Sequence, residues 1–404
     1  MRALSIVLII IAFYTSAAAQ LLTREDSLSA GLSPTSRNTI LSGYGEMKYS
    51  YNQNERSATA NLTRNVLFIG YRFNDKITMF SELEVEDGKV DSEGGEVALE
   101  QCLIRFDFNR NNYLVAGLII PRIGIMNENH LPVTFQGNDR PAVERMIIPA
   151  TWREIGVQLY GSSQKLMGLN YSIGLTNGLN AAGISGSKGI RDARYEGRDA
   201  SVTNLAVNGS LLYYVGSSRF QLSGYYGGTV GMSKSEADSL SLNGGTFGTP
   251  VALGEVNYQF NKNGFYFRGL GSYVLIQDAG KLNTAFANNA PESMYGFYGE
   301  LGYNILQNAR SKTKGKQLIV FGRYEQLDMM LSVPDNGVDD DLYDQKYIVG
   351  GVTYLPIRGV AIKADVKHVL TGKPNPVLHT TDDPSATAFK SSNSFYQLGI
   401  GYSF

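Results

Sequence analysis

The final residues, Ser394–Phe404, limit what this chain can become. Tyr396, Leu398, Ile400, Tyr402 and Phe404 share one parity, while Gln397, Gly399, Gly401 and Ser403 share the other. Extended backbone sends successive side chains to opposite faces. The segment therefore has one greasy face and one small or polar face. The pattern recurs: Met167, Leu169, Tyr171, Ile173 and Leu175 alternate with Gly168, Asn170, Ser172 and Gly174. Val256, Tyr258 and Phe260 oppose Glu255, Asn257 and Gln259, and Val360, Ile362, Ala364 and Val366 oppose Lys363, Asp365 and Lys367.

Reading the alternation through the chain predicts strands at 40–51, 61–73, 76–86, 96–108, 112–120, 153–161, 166–175 and 204–215. Further strands follow at 218–229, 251–260, 264–276, 294–305, 317–328, 343–354, 358–370 and 393–404. That makes about sixteen, and an even number returns both termini to one side. The segment 112–120 is apolar on both parities and shows no orientation. Asn74-Asp75, Asn109-Arg110-Asn111, Gly216-Ser217 and Asn261-Lys262-Asn263 read as tight turns, being rich in residues that accept turn geometry. Between them fall long connections at 52–60, 87–95, 121–152, 176–203, 230–250, 277–293, 329–342 and 371–392. Residues 306–316, with Arg310, Lys312, Lys314 and Lys316, form a longer, basic turn on the short side. The expectation is an all-β chain: a single transmembrane antiparallel β-barrel with long extracellular loops and short periplasmic turns. A soluble β-sandwich would alternate too, but a chain with this many two-faced strands is unusual as two packed sheets.

The N-terminus agrees with export. Met1-Arg2, the apolar run Leu4–Tyr14 and Ala17-Ala18-Ala19 before Gln20 read as a signal peptide over 1–19, removed after Ala19. Residues 20–39 read as a periplasmic lead-in, and 40–404 as the barrel. The apolar run falls short of the roughly 20 residues a spanning helix needs. A net charge of −1 argues against a nucleic-acid partner. Cys102 is alone, so it reads as a small apolar strand residue.

The connection 121–152 is too long for an idle turn and holds the chain's one Trp, Trp152. Its Ile, Met and Phe residues disfavour disorder, and folding into a wide barrel would bury them. Its charges are Arg122, Arg140 and Arg145 against Glu128, Asp139 and Glu144, with His130 among them and Arg153 at its exit. Three of each sign leave no net field. On the strands, parity points Glu82, Glu84, Glu86, Arg105, Glu255, Arg268, Glu300, Arg323, Glu325, Lys363, Asp365 and Lys367 toward the lumen.

Pro121-Arg122-Ile123-Gly124, the run Ile148-Pro149-Ala150-Thr151-Trp152-Arg153-Glu154-Ile155-Gly156 and the terminal Tyr402-Ser403-Phe404 resemble a Gram-negative porin. The chain is most similar to the porin O/P superfamily of Bacteroidetes-type sequences, whose named members include phosphate-selective channels. The resemblance implies that 121–152 is the inward-folded constriction loop, that Phe404 is an assembly signal, and that the barrel forms a homotrimer. Phosphate-selective relatives are implied to use basic clusters, whereas 121–152 contains no Lys.

Catalytic chemistry is not visible. No Gly-rich strand-to-helix loop is present, and His130, His368 and His379 with Cys102 are scattered, so neither a cofactor nor a metal site is expected. His130 has an intrinsic pKa near 6.5, which suits pH tuning of conductance, but the favoured reading is a histidine that simply hydrogen-bonds within the loop. Asp339-Asp340-Asp341 and Thr381-Asp382-Asp383 are acidic loop tips. The expected role is a porin, not an enzyme, passing small hydrophilic solutes or ions by passive diffusion across the outer-membrane lipid. Alternatives are a phosphate- or anion-selective channel, a non-conducting adhesive or structural barrel, and a barrel lipid hydrolase needing a Ser–His pair at the lipid boundary.

Overall fold

The computed structural model describes residues 38–92, 94–309, 315–375 and 390–404. The expected signal peptide, nearly all of the lead-in, His379, the 381–383 acidic tip and the bases at 310, 312 and 314 lie outside them.

The strands are β1 (Thr39–Asn52), β2 (Ser57–Asn74), β3 (Ile77–Asp91), β4 (Gly94–Asp107), β5 (Asn112–Ile119), β6 (Glu154–Ser162), β7 (Leu169–Asn177) and β8 (Leu205–Val215). They continue as β9 (Ser218–Gly227), β10 (Val251–Lys262), β11 (Phe265–Ile276), β12 (Ser293–Asn304), β13 (Gln317–Ser332), β14 (Asp344–Ile357), β15 (Val360–Asn375) and β16 (Lys390–Ser403). Among the described residues three short α-helices sit in the connections: α1 (Ala142–Met146), α2 (Lys234–Ser239) and α3 (Ala279–Phe286). Each strand pairs antiparallel with its sequence neighbour, and β1 pairs with β16, so the sixteen strands close into one barrel. At the seam Tyr44 faces Ser403 and Asn52 faces Phe395. Gly43 N donates to Phe404 O at 3.2 Å, Phe404 N donates back to Gly43 O at 2.9 Å, and Ser42 Oγ donates to Phe404 O at 2.5 Å.

Short turns close by the chemistry their residues suggest. Asn74 Oδ1 accepts from the backbone N–H groups of Lys76 and Ile77, at 2.8 and 2.9 Å. Asn109 Oδ1 does the same for Asn111 and Asn112, at 2.8 and 3.0 Å. The side chain thus takes the place of a backbone acceptor.

Burial is inverted relative to a soluble domain. Leu222, Val256 and Leu398 on the outer face are 59%, 58% and 56% exposed, whereas Glu255, Arg323 and Glu325 on the inner face are nearly covered. An unscreened apolar belt of this extent is not sustained in water. Alternating apolar-out and polar-in is the pattern of a barrel that spans a membrane.

Two expectations need correction. The connections at 52–60 and 87–95 are not long loops: β1 turns into β2 over 53–56, and β3 runs to Asp91 before β4 restarts at Gly94. These strands extend past the apolar belt, where backbone pairing continues without an apolar parity to mark it; residues 57–62 are all exposed. The segment 112–120, which the alternation left unoriented, has a definite facing. Tyr113, Val115 and Ile119 of β5 are buried inside with Phe68, Phe80, Leu103 and Tyr160. Because the inner wall itself is apolar there, alternation carries no signal.

Candidate functional site

The connection between β5 and β6 is organised by its own side chains. Asn127 Nδ2 donates to Ile123 O at 2.8 Å, and Trp152 N donates to Asn127 Oδ1 at 2.9 Å, which ties the start of the loop to its end. The indole Nε1 donates to Glu154 Oε1 at 3.1 Å. Glu144 on α1 is fully buried and accepts three hydrogen bonds: from Ile125 N at 2.7 Å, Met126 N at 2.6 Å and the Tyr298 hydroxyl at 2.6 Å. Burial raises its pKa, opposed by those same donors. Gly124, at φ +78°, passes so close that a Cβ there would lie 2.8 Å from Glu144 Oε2. Only glycine suits both that backbone and that gap.

Ile123, Ile125, Phe135, Val143, Ile147, Ile148 and Trp152 of this loop are buried in one apolar cluster. The cluster is shared with the next three long connections through Leu179, Ile184 and Ile190, then Val230 and Leu242, then Leu282. Strand residues Val274, Met294 and Leu327 complete it.

Around this core the loop bonds to inward-facing strand side chains. Arg268 Nη2 donates to Thr134 O at 2.6 Å, and Lys363 Nζ to Gly137 O at 2.8 Å. Arg323 donates to Gln136 O at 3.3 Å and Asp139 O at 3.1 Å. Glu325 accepts from Val143 N at 3.2 Å, Asp365 from Asn138 N at 2.8 Å, and Glu255 from Gly124 N at 3.3 Å. Several of the strand charges assigned to the lumen are thus engaged by the loop. Arg323 also pairs with Glu300 at 3.1 Å and Glu325 at 2.8 Å. Arg105 pairs with Asp107 at 2.6 Å and lies 3.9 Å over the Tyr113 ring.

Two of the loop's acids pair with bases from other segments. Arg122 pairs with Glu128 and stacks 4.8 Å from the Tyr160 ring centroid, and Glu128 also pairs with Arg219 at 3.1 Å. Asp139 is held by Lys48 at 2.7 Å and by Lys367. Burial opposes its charge, but the two ammonium groups outweigh this and hold its pKa well below the usual carboxylate value. With its acids so engaged, Arg140 and Arg145 have no carboxylate within ion-pairing distance among the described residues, and neither does Arg191 of the next connection.

These arginines line a cavity of about 320 Å³. From β1, β3 and β4 come Glu46, Glu84, Glu86 and Glu96, with Arg64 bonding Glu46 at 2.9 Å and Glu84 at 3.0 Å. From the 178–204 connection come Arg191, Arg194 and Glu196, where Arg153 pairs with Glu196 at 3.1 Å. The sequence reading missed this contribution. Its trace is Arg191-Asp192-Ala193-Arg194-Tyr195-Glu196, a dense charge run inside a Gly- and Ser-rich loop.

The histidines are not all scattered from acids. His130 is 7% exposed, with Nε2 3.3 Å from Glu100 Oε2 and 3.6 Å from Glu82 Oε1. Burial disfavours its charged form, yet these carboxylates hold its pKa at about 9, so it does not titrate near 6.5 as an isolated ring would. Glu100 was not among the sequence candidates. His368 Nδ1 lies 3.0 Å from Ser394 Oγ, its directly opposed cross-strand neighbour. No carboxylate pairs with His368 among the described residues.

No family model matches the chain. A protein of Aquifex aeolicus (strain VF5), described as uncharacterized, is 30% identical over 357 residues, which is 83% of this chain and 78% of that one. The chain belongs to one family with it. Among solved structures, an anion-selective porin from Comamonas acidovorans aligns with TM-score 0.55 and 10% identity, over 91% of this chain and 99% of that one. OmpF of Salmonella typhi, in complex with daunomycin, gives 0.55 and 11% over 91% and 98%. A trimer form of OmpT, an outer membrane protein of Vibrio cholerae, gives 0.52 and 10% over 91% and 99%. At such identities the likeness is one of fold: the sixteen-strand barrel of outer-membrane porins.

Proposed function

We propose that the chain is an outer-membrane porin passing small hydrophilic solutes or ions by passive diffusion, with 121–152 as its constriction loop. One observation carries the reading. A closed ring turns apolar side chains outward and encloses a cavity whose lining is dominated by charge. About sixteen strands leave room for an aqueous bore rather than a packed core, and the bonds from 121–152 to strand charges support its placement across that bore. The loop arginines on one side and the carboxylates of β1, β3 and β4 on the other would orient a dipolar solute as it passes. Bore width and lining charge then set permeability, and no cofactor or energy source is needed.

A preference for anions is favoured by Arg140, Arg145 and Arg191, which line the cavity and have no carboxylate within ion-pairing distance among the described residues. Membership of the porin O/P superfamily, export by the 1–19 signal peptide, and assembly as a homotrimer belong to the same proposal. The trimer form of OmpT supports the last of these. We read His368–Ser394 as a cross-strand hydrogen bond, since opposed residues in register meet without any catalytic demand. Purified protein in a planar lipid bilayer tests the main reading. Stepwise, ohmic conductance supports it, and a folded barrel that inserts without conducting overturns it in favour of a plugged structural barrel.

A further inference from the structure

We propose that Glu82, Glu100 and His130 form a binding site for a divalent transition-metal ion of the zinc class, which fastens the 121–152 loop to the barrel wall. Glu82 comes from β3, Glu100 from β4 and His130 from the loop, and their ligand atoms all lie within 4.8 Å of one another. A tetrahedral zinc site with bonds of about 2.0–2.2 Å sets its ligand atoms roughly 3.4 Å apart. The His130–Glu100 and His130–Glu82 separations of 3.3 and 3.6 Å already meet that spacing.

A second observation points to a ligand. His130 is more than nine-tenths buried: Nδ1 has no partner, and Nε2 meets only the two carboxylates, at ion-pair distance but without hydrogen-bond geometry. Buried polar atoms are normally satisfied. The carboxylates, by contrast, are positioned as metal ligands usually are. The Tyr44 hydroxyl donates to Glu100 Oε2 at 2.7 Å, Thr151 Oγ1 to Glu100 Oε1 at 2.9 Å, and Gln101 Nε2 to Glu82 Oε2 at 2.8 Å. Arg140 is the neighbouring cation, but it donates to His130 O at 3.5 Å and lines the cavity, forming an ion pair with neither carboxylate. One imidazole with two carboxylates suits zinc, cobalt or nickel rather than calcium, which takes oxygen ligands alone. The two carboxylates match the ion's charge, and a ring proton leaves to solvent on binding.

The experiment uses the refolded full barrel with Co²⁺ as an optical probe and Zn²⁺ as competitor. Heat-modifiable migration in gels confirms folding of every variant. The expected result is one Co²⁺ per chain with ligand-field absorption, displaced by Zn²⁺, lost in both His130→Asn and Glu82→Gln and retained when His368 and His379 are both replaced by Ala. Tyr44→Phe should weaken binding about 10–100-fold, as removal of a group that orients a ligand does. Absence of the absorption in the folded wild type, its persistence in His130→Asn or Glu82→Gln, or its loss in the His368/His379 double variant would overturn the site.

Discussion

Replacing Glu144 with Leu tests whether the loop is held in one conformation by a single buried carboxylate. The substitution leaves Ile125 N, Met126 N and the Tyr298 hydroxyl without their acceptor. A buried donor left unsatisfied costs about 1–3 kcal/mol, so three cost roughly 3–9 kcal/mol. Removing a carboxylate that burial already disfavours offsets part of this, which places the net at the low end, about 3 kcal/mol. That is about a hundredfold in the equilibrium between docked and released loop. The barrel, held by its strand pairing, should still fold and insert. Trypsin provides the assay, because Arg145 lies in the loop with Met146 after it, whereas the Arg140–Pro141 bond resists cleavage. Where opening is fast relative to cleavage, the nicking rate follows the population of the open form. Glu144→Leu in lipid vesicles should be cut up to about a hundredfold faster than wild type, and single-channel conductance should rise. Glu144→Gln retains one acceptor oxygen and should fall between. A folded Glu144→Leu barrel nicked within about threefold of wild type, with unchanged conductance, would refute the reasoning.

Asp139→Asn should remove a pH dependence of stability. The Asp139 pKa is lowered by Lys367 and Lys48, so its contribution is complete above the unfolded value of about 3.9 and is lost as pH falls through the folded value. Urea midpoints measured from about pH 6 downward should drop more steeply below about pH 4 for wild type than for Asp139→Asn, and equal slopes would contradict this. Replacing Arg140 and Arg145 together with Gln removes two cavity cations that lack carboxylate partners. The reversal potential in a salt gradient should move toward cation preference, and an unmoved potential would show that solute does not pass them. Ser394→Ala should leave bilayer conductance unchanged and remove no lipid-ester hydrolysis, since His368 pairs with no carboxylate among the described residues; a hydrolytic activity lost on this substitution would reopen the enzyme reading.

The strand count and facing were legible because alternation is local: each of Glu255, Asn257, Glu300, Lys363 and Asp365 declares its side by its immediate neighbours. The signal fails where the inner wall is itself apolar, as at Tyr113 and Val115, and where strands outrun the apolar belt, as β2 and β3 do. The loop was legible as a unit from its length and its Trp152. Its internal order was not, since Glu144 meets Tyr298 across 154 residues and the shared core draws on four separate connections. Counting charges does not show which of them pair, for the same reason. Asp139 and Glu128 are held by Lys48, Lys367, Arg122 and Arg219, so which cavity charges stay unpaired depends on contacts between distant segments. Glu100 stayed hidden because one carboxylate on a strand has no meaning until the loop sets His130 beside it.

The seam between β1 and β16 carries a lesson about assembly. Ser42 and Phe404 stand 362 positions apart, and their bond joins the ring's two edges. Every other strand can find a neighbour as soon as the next hairpin forms, but these two must wait for all the rest. Until they meet, both present a row of open backbone groups that hydrocarbon will not accept. A half-built sheet of this kind therefore has no resting place in a bilayer, and insertion must be coupled to zipping of the final pair. Changes at Gly43 or Ser42 should consequently slow entry into lipid far more than they weaken the finished ring.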